Sequence, residues 1–174
     1  MAQYLSLEDL IVVMDWMTCA NETLRICTHE ELEHYIRSAG RFIGVSRCRN
    51  ALSRSKPGTD SPQETLLRLA GEDYGLPPAE PNYRIFDHIS GTGELTVDIA
   101  YPNDRVVVEY DGRYHYTMDR WEHDLAKRNR LRALGYEPFV ATHATLSSKA
   151  NLADFLRMVA SAIMEHRLHG DFQH

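Results

Sequence analysis

The sequence predicts an α/β sandwich preceded by an α-helical lead. Three observations carry that reading. Strand-like segments with turn residues between them occupy 83–110 and 137–142. Stretches with apolar residues at helical spacing flank them on both sides. A Ser/Pro/Gly-rich stretch at 53–60 sets the first helices apart from the rest. The chain has 174 residues, 43% hydrophobic and 25% charged, which is ordinary globular composition and enough for one domain with an appendage.

The lead opens at Ser6-Leu7-Glu8-Asp9, and Leu7, Leu10, Ile11 and Met14 share one helical face. Thr28-His29-Glu30-Glu31 reads as a capping box before a second helix that ends near Gly40. A third short helix is expected over 45–52, and the linker places a boundary near 58, dividing 1–58 from 59–174. The main domain opens with Ser61 as N-cap, Pro62 at N1 and Glu64 at N3, in a helix that runs to Tyr74. Strands follow at 83–89, 94–101 and 105–110, then a helix over 118–134 ended by Gly135. A fourth strand at 137–142 and a closing helix over 151–168 complete the order α–β–β–β–α–β–α. That order excludes a dinucleotide-binding repeat.

Charge is unevenly spread. The net is −6, yet residues 34–59 hold six bases and no acid. An acidic total argues against tight unspecific DNA binding but leaves room for a local basic patch. Arg41, Arg47, Arg49 and Lys56 from that stretch are expected to approach a nucleic-acid backbone rather than to read bases. The longest apolar run, Leu10 to Met14, is far short of the roughly 20 residues a membrane span requires. Three cysteines without a Cys-x-x-Cys knuckle point to free thiols in a reducing cytoplasm, not to disulfides or zinc.

The chemistry is concentrated on two strands. Leu95, Val97, Ile99 and Tyr101 alternate onto one face, leaving Thr96, Asp98 and Ala100 on the other. In the next strand Val107, Glu109 and Asp111 share a face. The four residues Pro102-Asn103-Asp104-Arg105 make an even turn that sets Asp98 opposite Glu109. Two carboxylates about 5 Å apart repel unless a cation lies between them or one is protonated. Hard oxygen donors of that kind suit Mg²⁺ or Mn²⁺. In the following helix Leu125, Leu131 and Leu134 are expected to face the core, as is Trp121, with Lys127, Arg128 and Arg130 beside them.

These residues carry a resemblance. Ser-Pro-Gln-Glu-Thr (61–65), Val-Asp-Ile-Ala-Tyr-Pro (97–102), Val-Glu-Tyr-Asp-Gly (108–112) and Trp-Glu-His-Asp-Leu-Ala-Lys-Arg-Asn (121–129) resemble a bacterial nuclease-like family, domain of unknown function 559. That family is similar to the very-short-patch repair endonuclease, within the PD-(D/E)XK superfamily. The resemblance covers about residues 60–146 and implies a restriction-endonuclease-like α-β-β-β-α-β core. It implies metal-dependent hydrolysis of DNA, expected to be duplex, with Mg²⁺ or Mn²⁺ held by Asp98, Glu109 and the Tyr110 carbonyl.

The same resemblance makes Glu64 an auxiliary acid for metal-bound water; Arg128, from its place on the basic helix, is expected to contact phosphate. The superfamily usually places a catalytic lysine two positions after the second acid, and here that slot holds Asp111. His115 or Lys127 could take the lysine's part; otherwise Asp111 would bind a second metal. The alternative is an inactive core serving as a nucleic-acid-binding or toxin–antitoxin-type regulatory module.

Overall fold

The computed structural model describes residues 4–89, 91, 93–112 and 118–170. The chain divides into two compact units, Met1–Ala70 and Gly71–His174.

In the first unit three short helices precede the start of a fourth. Helix α1 (Leu7–Met17) begins where the Ser6 hydroxyl accepts the Asp9 N–H at 3.0 Å, with Glu8 and Asp9 complementing the helix dipole. Helix α2 (His29–Ser38) carries the expected capping box: Thr28 Oγ1 accepts the Glu31 N–H and Glu31 accepts the Thr28 N–H. Helix α3 (Val45–Arg54) follows Gly44, whose φ of 96° suits a residue without Cβ. The core joins Leu10, Ile11 and Met14 to Leu32 and Ile36 and to Cys48, Ala51 and Leu52, with Leu69 of α4 (Pro62–Tyr74) completing it.

A buried charge ties this unit together. Asp15 is 0% exposed, and its Oδ2 accepts Arg68 Nη2 at 2.7 Å and the Thr65 hydroxyl at 3.0 Å. Its Oδ1 accepts the Lys56 backbone N–H at 2.8 Å. The stretch that composition marks as a linker is thus bonded back onto the end of α1. Gly58 N–H also donates to the Thr18 carbonyl, and Asp60 accepts the Asn21 N–H.

The second unit is a mixed α/β structure with a four-stranded sheet in the order β1 (Glu80–Asp87), β2 (Gly93–Tyr101), β3 (Val106–Asp111), β4 (Glu137–Thr142). The first three strands are antiparallel, and β4 lies parallel to β3. Helix α5 (Met118–Ala133) lies in the connection that a parallel pair requires. Val106, Val107 and Val108 are all buried, as expected for a strand covered on both faces. Leu131 and Leu134 pack with Ala100, Val107 and Ile85. A short helix α6 (His143–Leu146) leads into α7 (Lys149–Gly170), which packs on β3 and β4. The Phe139 and Phe155 rings there meet edge-on at 6.3 Å.

The turn between β2 and β3 is held from two sides. Asp104, buried within it, accepts both Arg167 Nε at 2.6 Å and Nη2 at 3.0 Å from α7. Arg105, at φ 53°, offers its carbonyl to the Glu137 N–H at 2.8 Å and lays its guanidinium over the Tyr136 ring. Three local expectations are corrected. Strand β1 starts at Glu80 and includes Pro81, which an edge strand tolerates. Four residues expected in the β4–α7 connection form α6, capped by Thr142 and Thr145. Trp121 is 47% and Leu125 37% exposed, because Leu131 and Leu134 set the buried stripe of α5 and neither Trp121 nor Leu125 falls on it. Among the described residues no helix is long and apolar enough to cross a membrane.

Two outcomes follow from this packing. Asp15→Ala leaves the Arg68 charge buried, and urea unfolding should show a loss of about 3–5 kcal/mol. The double variant Asp15→Leu, Arg68→Met should recover part of it, and an unchanged single variant would mean that the network is dispensable. Burial and nearby Glu72 push the Tyr101 phenol well above its usual range. The unfolded chain therefore loses that proton first, so the stabilisation is complete below about pH 10 and declines as pH rises further. Tyr101→Phe should flatten the alkaline fall in melting temperature; an identical slope would assign that fall to other groups.

Candidate active site

The β2–β3 register pairs Tyr101 with Val106, Ala100 with Val107 and Ile99 with Val108. The next step sets Asp98 opposite Glu109, as the four-residue turn predicts. The backbone ladder stops at Ile99–Val108. One step further, the Asp98 carboxylate takes over a donor from the neighbouring strand: its Oδ2 accepts the Tyr110 N–H at 2.7 Å. That charge-assisted bond fixes the orientation of Asp98.

The countercharge arrives from α5. Lys127 Nζ donates to Glu109 Oε1, and both side chains are largely withdrawn from water, at 22% and 17% exposure. The geometry follows from helical spacing. Leu131 is fully buried against the sheet, and Lys127 lies one turn before it on the same stripe, with Asp124 a further turn back. Arg130 Nε, 3.3 Å from the buried Asp87 at the end of β1, gives α5 a second attachment.

Asp98, Glu109, Asp111 and Asp124 line one cavity of about 160 Å³, with Arg128 and Val140 completing its wall. The structure therefore brings together Asp98, Glu109, Tyr110, Asp111 and Arg128 as sequence-predicted lining residues, with Lys127 bonded to Glu109 beside them. Asp124 and Val140 were not anticipated. Asp124 was legible as a member of the Leu131 stripe, and Val140 as the β4 partner of Glu109. A larger cavity of about 420 Å³ is lined by Lys127 together with Leu95 and Thr96 of β2 and His123 and Arg130 of α5.

The donor chemistry around Asp98 and Glu109 is that of hard oxygen ligands. Among the described residues no group of three or more His, Cys, Asp or Glu is gathered as a ready metal cage. A cation that keeps several waters needs only one or two carboxylates, which is the usual arrangement for Mg²⁺. Asp98, Glu109 and the Tyr110 carbonyl fit that requirement in donor type.

Other predicted residues have local accounts. Glu64 belongs to the first unit and caps α4: its Oε1 accepts the Ser61 hydroxyl at 2.7 Å and its Oε2 the Asp60 N–H at 3.0 Å. Arg47 donates to the Leu5 carbonyl and Arg49 to the Ala39 carbonyl. Arg41 is exposed and Lys56 half-buried. His115 lies outside the described residues. Cys19, Cys27 and Cys48 are free thiols.

No family model matches this chain, and no solved structure does. Two proteins of Mycobacterium tuberculosis are similar to it: Uncharacterized protein MT2308 (strain CDC 1551 / Oshkosh) and Uncharacterized protein Rv2248 (strain ATCC 25618 / H37Rv). Each is 29% identical over 112 residues, covering 63% of this chain. The chain spans 40% of the length of these curated relatives.

The ion pair reverses a simple electrostatic expectation. Facing acids alone would make Glu109→Gln stabilising, whereas Lys127 makes it costly. Glu109→Gln and Lys127→Met should each lower stability, and the double variant should lose less than the sum. A thermal-melt mutant cycle should give a coupling of about 1–2 kcal/mol. Strict additivity would show that the pair contributes nothing to the fold.

Proposed function

We propose that the second unit is the core of a metal-dependent DNA endonuclease of the PD-(D/E)XK type. The observation that carries this reading is the Lys127 ammonium on the carboxylate of Glu109, which with Asp98 lines a polar cavity. The strand order and the mixed pairing of the sheet support a restriction-endonuclease-like core. Asp111 occupies the position two residues after Glu109 where the superfamily usually has lysine, and Lys127 offers the same charge from helix α5.

In this reading Asp98, Glu109 and the Tyr110 carbonyl hold Mg²⁺ or Mn²⁺, which when bound supplies electrophilic stabilisation of the phosphate and acidifies water. The chain's own residues do the positioning. The Tyr110 N–H holds Asp98 in one rotamer. Lys127 brings a fixed positive charge to the carboxylate face, where it can steady the developing charge on phosphate oxygens. Arg128 in the cavity wall can pair with a neighbouring phosphate. Asp111 and Asp124 raise the negative potential that draws cations in.

Nicking of supercoiled plasmid with Mg²⁺ or Mn²⁺ tests the reading. Wild type should nick, Asp98→Ala should not, and Lys127→Ala should lower the single-turnover rate on the order of a hundredfold. Duplex binding by a wild type that never nicks would favour the regulatory-module alternative. Calorimetry with Mn²⁺ provides an independent check. Asp98→Asn should abolish binding, whereas Lys127→Met should tighten it several-fold by removing a competing cation. Equal affinity in all three proteins would remove the metal site.

A further inference from the structure

We infer that helix α3 is a reading helix for duplex DNA, with Ser46, Arg49, Asn50 and Ser53 directed to base edges. It shares only the substrate class with the endonuclease reading and concerns the first unit alone. The four residues recur at i, i+3, i+4 and i+7, so they form one stripe, and all four are exposed. Cys48, Ala51 and Leu52 on the opposite side are buried in the helical core, which fixes the stripe outward.

Charge and chemistry select the partner. The helix carries no acid, and neither does the rest of 34–59, whereas the chain as a whole has a net charge of −6. The acids Glu31 and Glu33 of α2 are engaged, Glu31 with the Thr28 N–H and Glu33 with Arg37, while Glu30 is exposed near the start of α2. Arginine can bind guanine O6 and N7 bidentately, asparagine adenine N6 and N7, and serine either base. A guanidinium has five donors, so the 3.3 Å bond from Arg49 to the Ala39 carbonyl anchors its head without exhausting it. Arg47, bonded to the Leu5 carbonyl at 2.9 Å, steadies the flank of the helix. Ten residues of helix extend about 15 Å, enough to follow roughly four base-pair steps in a major groove that admits a helix. The Ser53 hydroxyl donates to the Asn50 carbonyl at 2.8 Å and so meets a base as an acceptor, and Arg49, which charge alone would assign to the backbone, shares its stripe with Asn50 and is directed with it to base edges.

Selection from randomised duplexes by the full chain in EDTA tests this without cleavage. The expected result is one enriched motif of about four to six base pairs. Asn50→Ala should lose preference at one position by about tenfold or more, and Arg49→Lys at another. Both substitutions lie on the exposed face, and melting curves verify that the variants fold. Absence of any motif, or the same motif from wild type and both variants, would overturn the inference. Asp98→Ala should return the wild-type motif. A motif with no nicking in Mg²⁺ or Mn²⁺ supports the reading helix and removes the endonuclease reading, whereas nicking without a motif overturns the reading helix alone.

Discussion

Two carboxylates held opposite one another on adjacent strands need a compensating cation, and the second unit is arranged around that requirement. Lys127 supplies the charge from α5, so the helix must sit over the sheet with its register set to within one turn. Leu131 and Leu134 provide the apolar anchor and the Arg130–Asp87 pair a polar one. The Asp98 carboxylate is held independently by the Tyr110 N–H. Each acid therefore has its own partner, and the cavity between β2, β3 and α5 keeps a negative lining without collapsing the sheet.

The register behind this arrangement is decided at the far end of the strands. A one-residue slip would send Asp98 and Glu109 to different faces. The turn at Pro102–Asp104 prevents it through side chains well removed from the cavity. Arg167 grips Asp104 with two bonds, and Arg105 ties the turn to the start of β4 and the end of α5. Stability and site geometry are thus coupled through a clamp that touches neither acid.

Much of this was legible in the residues. Alternation in β2 and β3, together with an even turn, was sufficient to place Asp98 against Glu109. The bounds of α4 and β4 follow from Ser61-Pro62 and from the apolar run after Gly135. What failed depends on tertiary context. Pro81 reads as a strand breaker until β1 is known to be an edge, and Trp121 reads as core until the buried stripe of α5 is known. That Lys127 pairs with Glu109 could not be read from sequence, because it rests on how α5 crosses the sheet. The Ser/Pro/Gly stretch at 53–60 reads as a linker, whereas Asp15 and Thr18 bond it to α1 through backbone groups that composition does not reveal.

The central claim is that a lysine on α5 serves where a strand lysine would ordinarily stand. Relocating the charge tests it most directly: Asp111→Lys combined with Lys127→Ala returns the lysine to the strand. Single-turnover nicking by this double variant should exceed that of Lys127→Ala by at least about tenfold, as expected for a restored electrostatic group. A rate no higher than that of Lys127→Ala, in a double variant that melting curves show to be folded at the assay temperature, would contradict the account.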